Sequence, residues 1–323
     1  MSVTSEISSS IAEPIGRAHS RMPAAITVAK ICALALLIGL AISTPGFLSR
    51  PSLIALANAI SLVGCVALGM TLITLGGNIM SFSIGATASV TGIVFMATLG
   101  HGLMPAALAA ILAGAAITAL QGWIIGALRA NPIIVSLATY ALLIGMAQIV
   151  VGPKVDAPNL DYQFLKGRLG GVPVSFLLFG ALTILCQLIL TFTRFGHELL
   201  LVGSNGRAAE AAGIHVTRVT VVAYALAGAL AGIGGIVIAS RFGVADMQTA
   251  RGFEYTAIAA VLIGGTSIGG GRGSITQTFL GMGVIAIINA LALLQGMSME
   301  FQRLAIGLAV LAVIILQGLG RRN

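Results

Sequence analysis

The sequence predicts an all-α integral membrane protein of about ten transmembrane helices, with cytoplasmic N- and C-termini and glycine-rich helix breaks. Three observations carry this. Of 323 residues, 58% are hydrophobic and only 8% charged, where a soluble domain carries about a quarter charged residues. The charges are separated by apolar runs of the length a helix needs to cross about 30 Å of hydrocarbon. Glycine is abundant, at 42 residues, as expected where helices associate through close backbone approach.

The N-terminal residues 1–28 are polar, rich in Ser and Ala, and carry Arg17 and Arg21; they read as a disordered cytoplasmic tail. Residues 29–320 form a single transmembrane domain. Ile31 to Leu48 makes a first, retained span, longer than the apolar core of a signal peptide. The uncharged stretch from Arg50 to Arg129 holds three spans. One span each fits the gaps Arg129–Lys154, Arg168–Arg194, Arg218–Arg241, Glu254–Arg272, Arg272–Glu300 and Arg303–Arg321. The basic tail places the N-terminus inside, which puts loop 194–218 and the C-terminus in the cytoplasm and loop 153–173 in the periplasm. The net charge of +8 then reflects membrane orientation. Nucleic acid is not an expected partner, because the basic residues are scattered rather than clustered on one face.

Cys32, Cys65 and Cys186 lie in apolar runs without Cys-x-x-Cys spacing, and the four histidines lack ligand spacing, so no metal site is expected. Three Gly-x-x-x-Gly pairs, Gly122–Gly126, Gly228–Gly232 and Gly265–Gly269, are expected to pack helices tightly within the bundle.

The acids Glu6, Glu13, Asp156, Asp161, Glu198, Glu210, Asp246, Glu254 and Glu300 all map to the tail, loops or span ends by this assignment. That argues against proton coupling, which places titratable groups at mid-membrane. Nor does the chain hold a phosphate-binding Gly-x-x-x-x-Gly-Lys-Ser/Thr loop. Active transport would therefore draw on a separate subunit that grips a cytoplasmic feature. Gly203 to Ile214 offers one: Asn205 caps a short helix over Arg207 to Ala212, and Gly213 ends it in the left-handed conformation. From the residues alone, an ordinary surface turn fits this segment equally well.

Three further polar clusters interrupt the apolar runs. Gly76 to Gly85 includes Gly77, Asn78, Ser81 and Ser83 and reads as a broken helix or tight reversal. Asn131-Pro132 reads as a span entry. Gly264 to Gly273, with Gly265, Thr266 and Ser267, is too rich in glycine for a straight helix. Such breaks commonly serve close packing; spread along a membrane bundle they are also pathway candidates.

At these residues the chain resembles the permease subunits of bacterial sugar ABC importers of the ribose/xylose/galactose type. The longest match is Gly252-Phe-Glu-Tyr-Thr-Ala-Ile-Ala-Ala-Val-Leu-Ile-Gly-Gly-Thr-Ser-Ile-Gly-Gly-Gly-Arg-Gly-Ser274, in which Glu254 takes the family's glutamate position with one residue of offset. Gly203 to Ile214 resembles the family's coupling loop, Asn131 to Thr139 its Pro-Phe-Ile segment, and Asn289-Ala-Leu-Ala-Leu293 its Asn-x-Leu-x-Leu. Where the family often has an aspartate within Gly76 to Gly85, Asn78 or Ser81 stands here, and Gln317 stands where the final span often ends near another.

The resemblance implies a non-catalytic permease in the bacterial inner membrane, surrounded by lipid. Its partners are a second permease subunit, identical or not, an ATPase subunit that holds the ATP and magnesium, and a periplasmic sugar-binding protein. No cofactor is expected in this chain. Asn205, Arg207, Ala208, Ala209, Glu210 and Gly213 would contact the ATPase. Gly77, Asn78, Ser81, Ser83, Asn131, Glu254, Gly264, Gly265, Thr266, Ser267 and Asn289 would line the solute path. A secondary transporter or channel for a small polar solute is the alternative.

Overall fold

The computed structural model describes residues 35–319, apart from 36, 79, 151–153 and 157–162; the expected tail 1–28 lies outside the described residues. Residues 37–43 are helical. Helix α1 (Arg50–Leu75) begins where the Ser49 hydroxyl accepts the Ser52 N–H at 3.4 Å, with Pro51 in its first turn, and Gly76 closes it by donating to Leu72 O at 3.2 Å. The break expected at Gly76–Gly85 follows, and α2 (Ile84–Thr98) starts beyond it. Then come α3 (Leu103–Leu128), ended by Arg129 at φ 51°, and α4 (Pro132–Val150), capped by the Asn131 side chain, whose Oδ1 accepts the Ile133 N–H at 2.9 Å.

The next connection carries β1 (Val155–Asp156) and the hairpin β2 (Arg168–Leu169)–β3 (Val172–Pro173). Helices α5 (Val174–Phe192), α6 (Arg194–Ser204), α7 (Gly206–Ala211) and α8 (Val216–Phe242) follow, then β4 (Val244–Ala245), which pairs antiparallel with β1. Helices α9 (Phe253–Gly264), α10 (Ile275–Leu294) and α11 (Met299–Leu319) complete the chain.

Seven described helices are long and apolar enough to cross a membrane: α1, α2 with its 3-10 extension to His101, α3, α4, α5, α8 and α10. Helix α9 is a correction to the expected span between Glu254 and Arg272. It has 12 residues, about 18 Å, well short of the roughly 30 Å of hydrocarbon. Gly265, at φ 103°, stops it, and a glycine loop covers the rest of the interval.

Helix α8 is the centre of the bundle, and its small residues decide how it packs. Its Gly228 faces Gly114 of α3 so closely that a Cβ on either would overlap the partner's backbone oxygen. Further along, a Cβ on Gly122 would lie 2.7 Å from Tyr224 Cβ, and one on Gly126 would lie 3.0 Å from Thr217 Cα. Two hydroxyls lock the same seam: Thr118 Oγ1 donates to Tyr224 O at 2.7 Å and Thr217 Oγ1 to Gly126 O at 3.0 Å. The Gly122–Gly126 and Gly228–Gly232 pairs thus build one α3–α8 interface. The Gly265–Gly269 pair does not pack a helix, because Gly265 ends α9.

Away from this centre, α4 exposes Ile134, Leu137, Leu142, Met146 and Ile149, and α11 exposes Leu304, Leu308, Leu311 and Ile315. Cys65 and Cys186 are buried and free.

Candidate functional site

The ends of α1 and α3, all of α7 and the start of α8 meet at one end of the bundle. There Asn205 caps α7, its Oδ1 accepting the Ala208 N–H at 3.1 Å. Gly213, at φ 83°, closes the turn: its N–H donates to Glu210 O and the Ile214 N–H to Ala209 O, both at 3.0 Å. This is the local geometry the residues predict. Arg207, Ala208 and Glu210 are exposed, whereas Ala209 is buried in the core. Arg129 at the end of α3 pairs with Glu210 at 3.1 Å, but their side chains are 78% and 58% exposed, so the pair contributes at most about 1 kcal/mol. The buried Ala209, more than the ion pair, seats α7 on the bundle.

A cavity of about 930 Å³ opens here between Gly76–Asn78, Arg129, Gly203–Arg207 and Glu210. Its inner wall is a junction of three backbones. The Gly271 N–H donates to Leu75 O at 3.0 Å. A Cβ on Gly203 would overlap that same Leu75 oxygen, and one on Gly270 would overlap Gly77. The glycine loop after α9 therefore folds back onto the end of α1 and the end of α6, and only glycines allow the approach.

A second polar cluster lies deeper, around the first turn of α2. Ser81 Oγ and Ser83 Oγ are 3.0 Å apart, and Ser83 Oγ donates to Gln121 Oε1 of α3 at 3.1 Å. On another side of that turn, Glu254 is 3% exposed. Its Oε1 accepts the Gly252 N–H at 3.2 Å. Its Oε2 lies where a Gly85 side chain would be, and it has no hydrogen-bond partner among the described residues; nor has Gln121 Nε2. Ser89, one turn along α2, accepts the Ala250 N–H at 3.2 Å and ties down the segment leading into α9. Burying a carboxylate is costly, and the positive end of the α2 dipole offsets part of that cost.

Glu254, expected at a span end, is buried inside the bundle. Ten helical steps of α9 lead from Glu254 to Gly264, about 15 Å. Helices α2 and α9 both start inside the bundle, which converts an apparent span end into an interior position.

The predicted pathway residues are thus only partly brought together. Ser81, Ser83 and Glu254 surround the α2 start. Gly77, Asn78 and the Gly264–Ser267 segment belong to the end that carries α7: Ser267 donates its N–H to Arg272 O at 2.9 Å, and Thr266, fully buried, donates its N–H to Val261 O at 3.1 Å. Asn131 is an exposed helix cap, and Asn289 is half-buried on α10. Gln121 was missed by the sequence reading. Its signal is an amide in an otherwise apolar 26-residue helix, where a polar side chain needs a reason.

Comparison with known proteins bears on the whole arrangement. The family described as branched-chain amino acid transport system / permease component matches residues 52–316. The ribose import permease protein RbsC of Bacillus subtilis is 32% identical over 288 residues, covering 87% of this chain and 89% of the relative. RbsC of Escherichia coli strain K12 is 30% identical over 280 residues, 84% and 87% of the two chains. The L-arabinose transport system permease protein AraH of the same strain is 31% identical over 284 residues, 87% and 86%. No solved structure matches.

Proposed function

Because the chain belongs to the family of branched-chain amino acid transport system permease components, we propose that it is the transmembrane subunit of an ATP-binding-cassette importer. It moves a sugar or related small polar solute across the bacterial inner membrane. The single observation that carries the solute class is agreement among relatives: permeases named for ribose and for L-arabinose match over more than four-fifths of this chain. The polar cluster supports it. A buried amide donor on Gln121 and a buried carboxylate acceptor on Glu254 flank the α2 start, each with an unpartnered atom. A polyhydroxyl solute both donates and accepts, and is complementary to such a pair.

In this reading the permease breaks no covalent bond. Two permease subunits, identical or not, are clamped by two ATPase domains, which hold the ATP and magnesium, and a periplasmic binding protein delivers the solute. Helix α7 is the docking element for the ATPase. Closure of the ATPases pushes α7, and the Ala209 seat passes the displacement to the bundle. The chain crosses about ten times, with both termini and α7 cytoplasmic. Seven apolar helices account for most of that count, with the apolar part of α11, the helical segment at 37–43 and the part-length α9 marking where the remaining crossings would run. The orientation rests on the basic bias of the inner segments. Ser204→Cys, exposed beside α7, should react with an impermeant maleimide in inverted vesicles and not in intact spheroplasts; the reverse labelling would overturn the topology.

The deciding experiment is Gly213→Val. A β-branched residue is strained at φ 83°, so α7 should lose its closing turn while the spans stay intact. Co-purification of the ATPase with the permease and solute uptake should both fall at least about tenfold, the equivalent of losing about 1.4 kcal/mol of docking. Uptake that survives without any ATPase and collapses with an ionophore would instead favour a secondary transporter.

A further inference from the structure

At the end of the bundle opposite α7, a pocket of about 460 Å³ is lined by Arg50, Arg168 and Arg241 together with Pro51, Ile54, Ala55 and Asn58. The three arginines come from separate elements: the first residue of α1, strand β2 and the last turn of α8. None of them forms an ion pair with a carboxylate among the described residues. Three like charges around one small opening repel each other, and that arrangement is stabilised when an anion sits between them. The start of α1, a 26-residue helix, adds its positive dipole end from the same side. Ile54 and Ala55 make part of the wall apolar, and the exposed side chains of Leu53 and Phe242 lie next in sequence to lining residues.

The geometry points to a phosphate-binding site at the membrane surface whose occupant is the headgroup of an anionic phospholipid. The guanidinium fork matches a phosphate geometrically. An apolar wall continuing from the charged mouth suits acyl chains and does not suit a free aqueous anion. The volume of about 460 Å³ is enough for a phospholipid headgroup. The inference does not depend on which solute the permease carries; it concerns how the α1–β2–α8 corner is anchored to the bilayer.

The test uses the full-length permease purified in neutral detergent. Dioleoylphosphatidylglycerol, dioleoylphosphatidylcholine or inorganic phosphate is titrated against it, with bound lipid counted by native mass spectrometry and thermal stability followed in parallel. Phosphatidylglycerol should bind and stabilise, and phosphatidylcholine should bind far more weakly. Each arginine near an anionic lipid surface is worth about fivefold in affinity, so Arg50→Gln/Arg168→Gln/Arg241→Gln should weaken phosphatidylglycerol binding on the order of a hundredfold. If the triple variant does not fold, Arg241→Gln alone should lose about fivefold, and Arg241→Lys, which keeps the charge but not the fork, should recover only part of it. Inorganic phosphate that binds at micromolar concentration and stabilises the permease as much as phosphatidylglycerol does would overturn the lipid assignment and identify a free anion as the occupant.

Equal binding of both lipids, or phosphatidylglycerol affinity unchanged in the folded triple or Arg241→Gln variant, would overturn the site. So would arginine variants that retain lipid binding but lose binding of the soluble solute-binding protein. That result would assign the pocket to acidic side chains of a protein partner.

Discussion

Gly203→Val should abolish recovery of folded permease. A Cβ at this position would overlap the Leu75 carbonyl oxygen and come within 2.7 Å of Gly271 N and 3.0 Å of Gly77 N. All three obstacles are backbone, and they belong to three different segments: the end of α1, the break that follows it and the glycine loop after α9. No rotamer change relieves the overlap, so the three-way junction has to open. Overpacking of this kind costs at least about 3 kcal/mol, and opening the junction also breaks the 3.0 Å bond from Gly271 N–H to Leu75 O. In detergent, size-exclusion chromatography should show aggregate, and any monomeric fraction should melt well below wild type. Gly206→Ala is the matched control. Nothing lies within 4 Å of a Cβ there, and alanine at the first position of α7 favours the helix. A Gly203→Val protein with wild-type melting would mean that the junction is looser than described.

The second large effect joins Gly85 and Glu254. In Gly85→Ala the added methyl would overlap Glu254 Oε2 and lie 3.1 Å from Ala250 O. The carboxylate must then leave its buried position at the α2 start, at a cost of about 2 kcal/mol. Uptake should fall more than about tenfold, since every 1.4 kcal/mol is a factor of ten. Glu254→Asp withdraws the carboxylate by one methylene. The double variant Gly85→Ala/Glu254→Asp should therefore be less impaired than the sum of its singles, with a coupling energy above about 1 kcal/mol. Glu254→Ala should leave a folded permease without uptake, which separates the role in solute passage from the role in packing. Strict additivity across this cycle would dissociate Glu254 from the α2 start.

Which parts of this architecture were legible in the sequence follows from how local their causes are. Helix α7 was legible because its start and stop are single residues, Asn205 and Gly213, acting on their own neighbours. Helices α4, α5, α8 and α10 were legible because charged residues bracket uncharged runs. The α3–α8 seam was half legible. The glycine spacing marks a packing face, but only the fold shows that Gly114 and Gly228 meet each other.

The depth of the α2 and α9 starts was not legible. It is set by the glycine loop returning to Leu75, a contact between residues far apart in sequence. That is why Glu254, counted as a span end, lies buried against the start of α2. Gln121 escaped for the same reason: its hydrogen bond to Ser83 depends on where α2 begins.

The seam between α3 and α8 has a mechanical consequence. Two helices pressed together at Gly114–Gly228 and pinned by the Thr118 and Thr217 hydroxyls have no room to slide past each other, so they tilt as one stiff rod. Helix α8 has 27 residues, a lever of about 40 Å. One end follows directly on the α7 turn; the other runs into the strand that grips Val155 and Asp156 on the far face. A small swing imposed at Val216 should therefore be felt at the opposite mouth of the molecule.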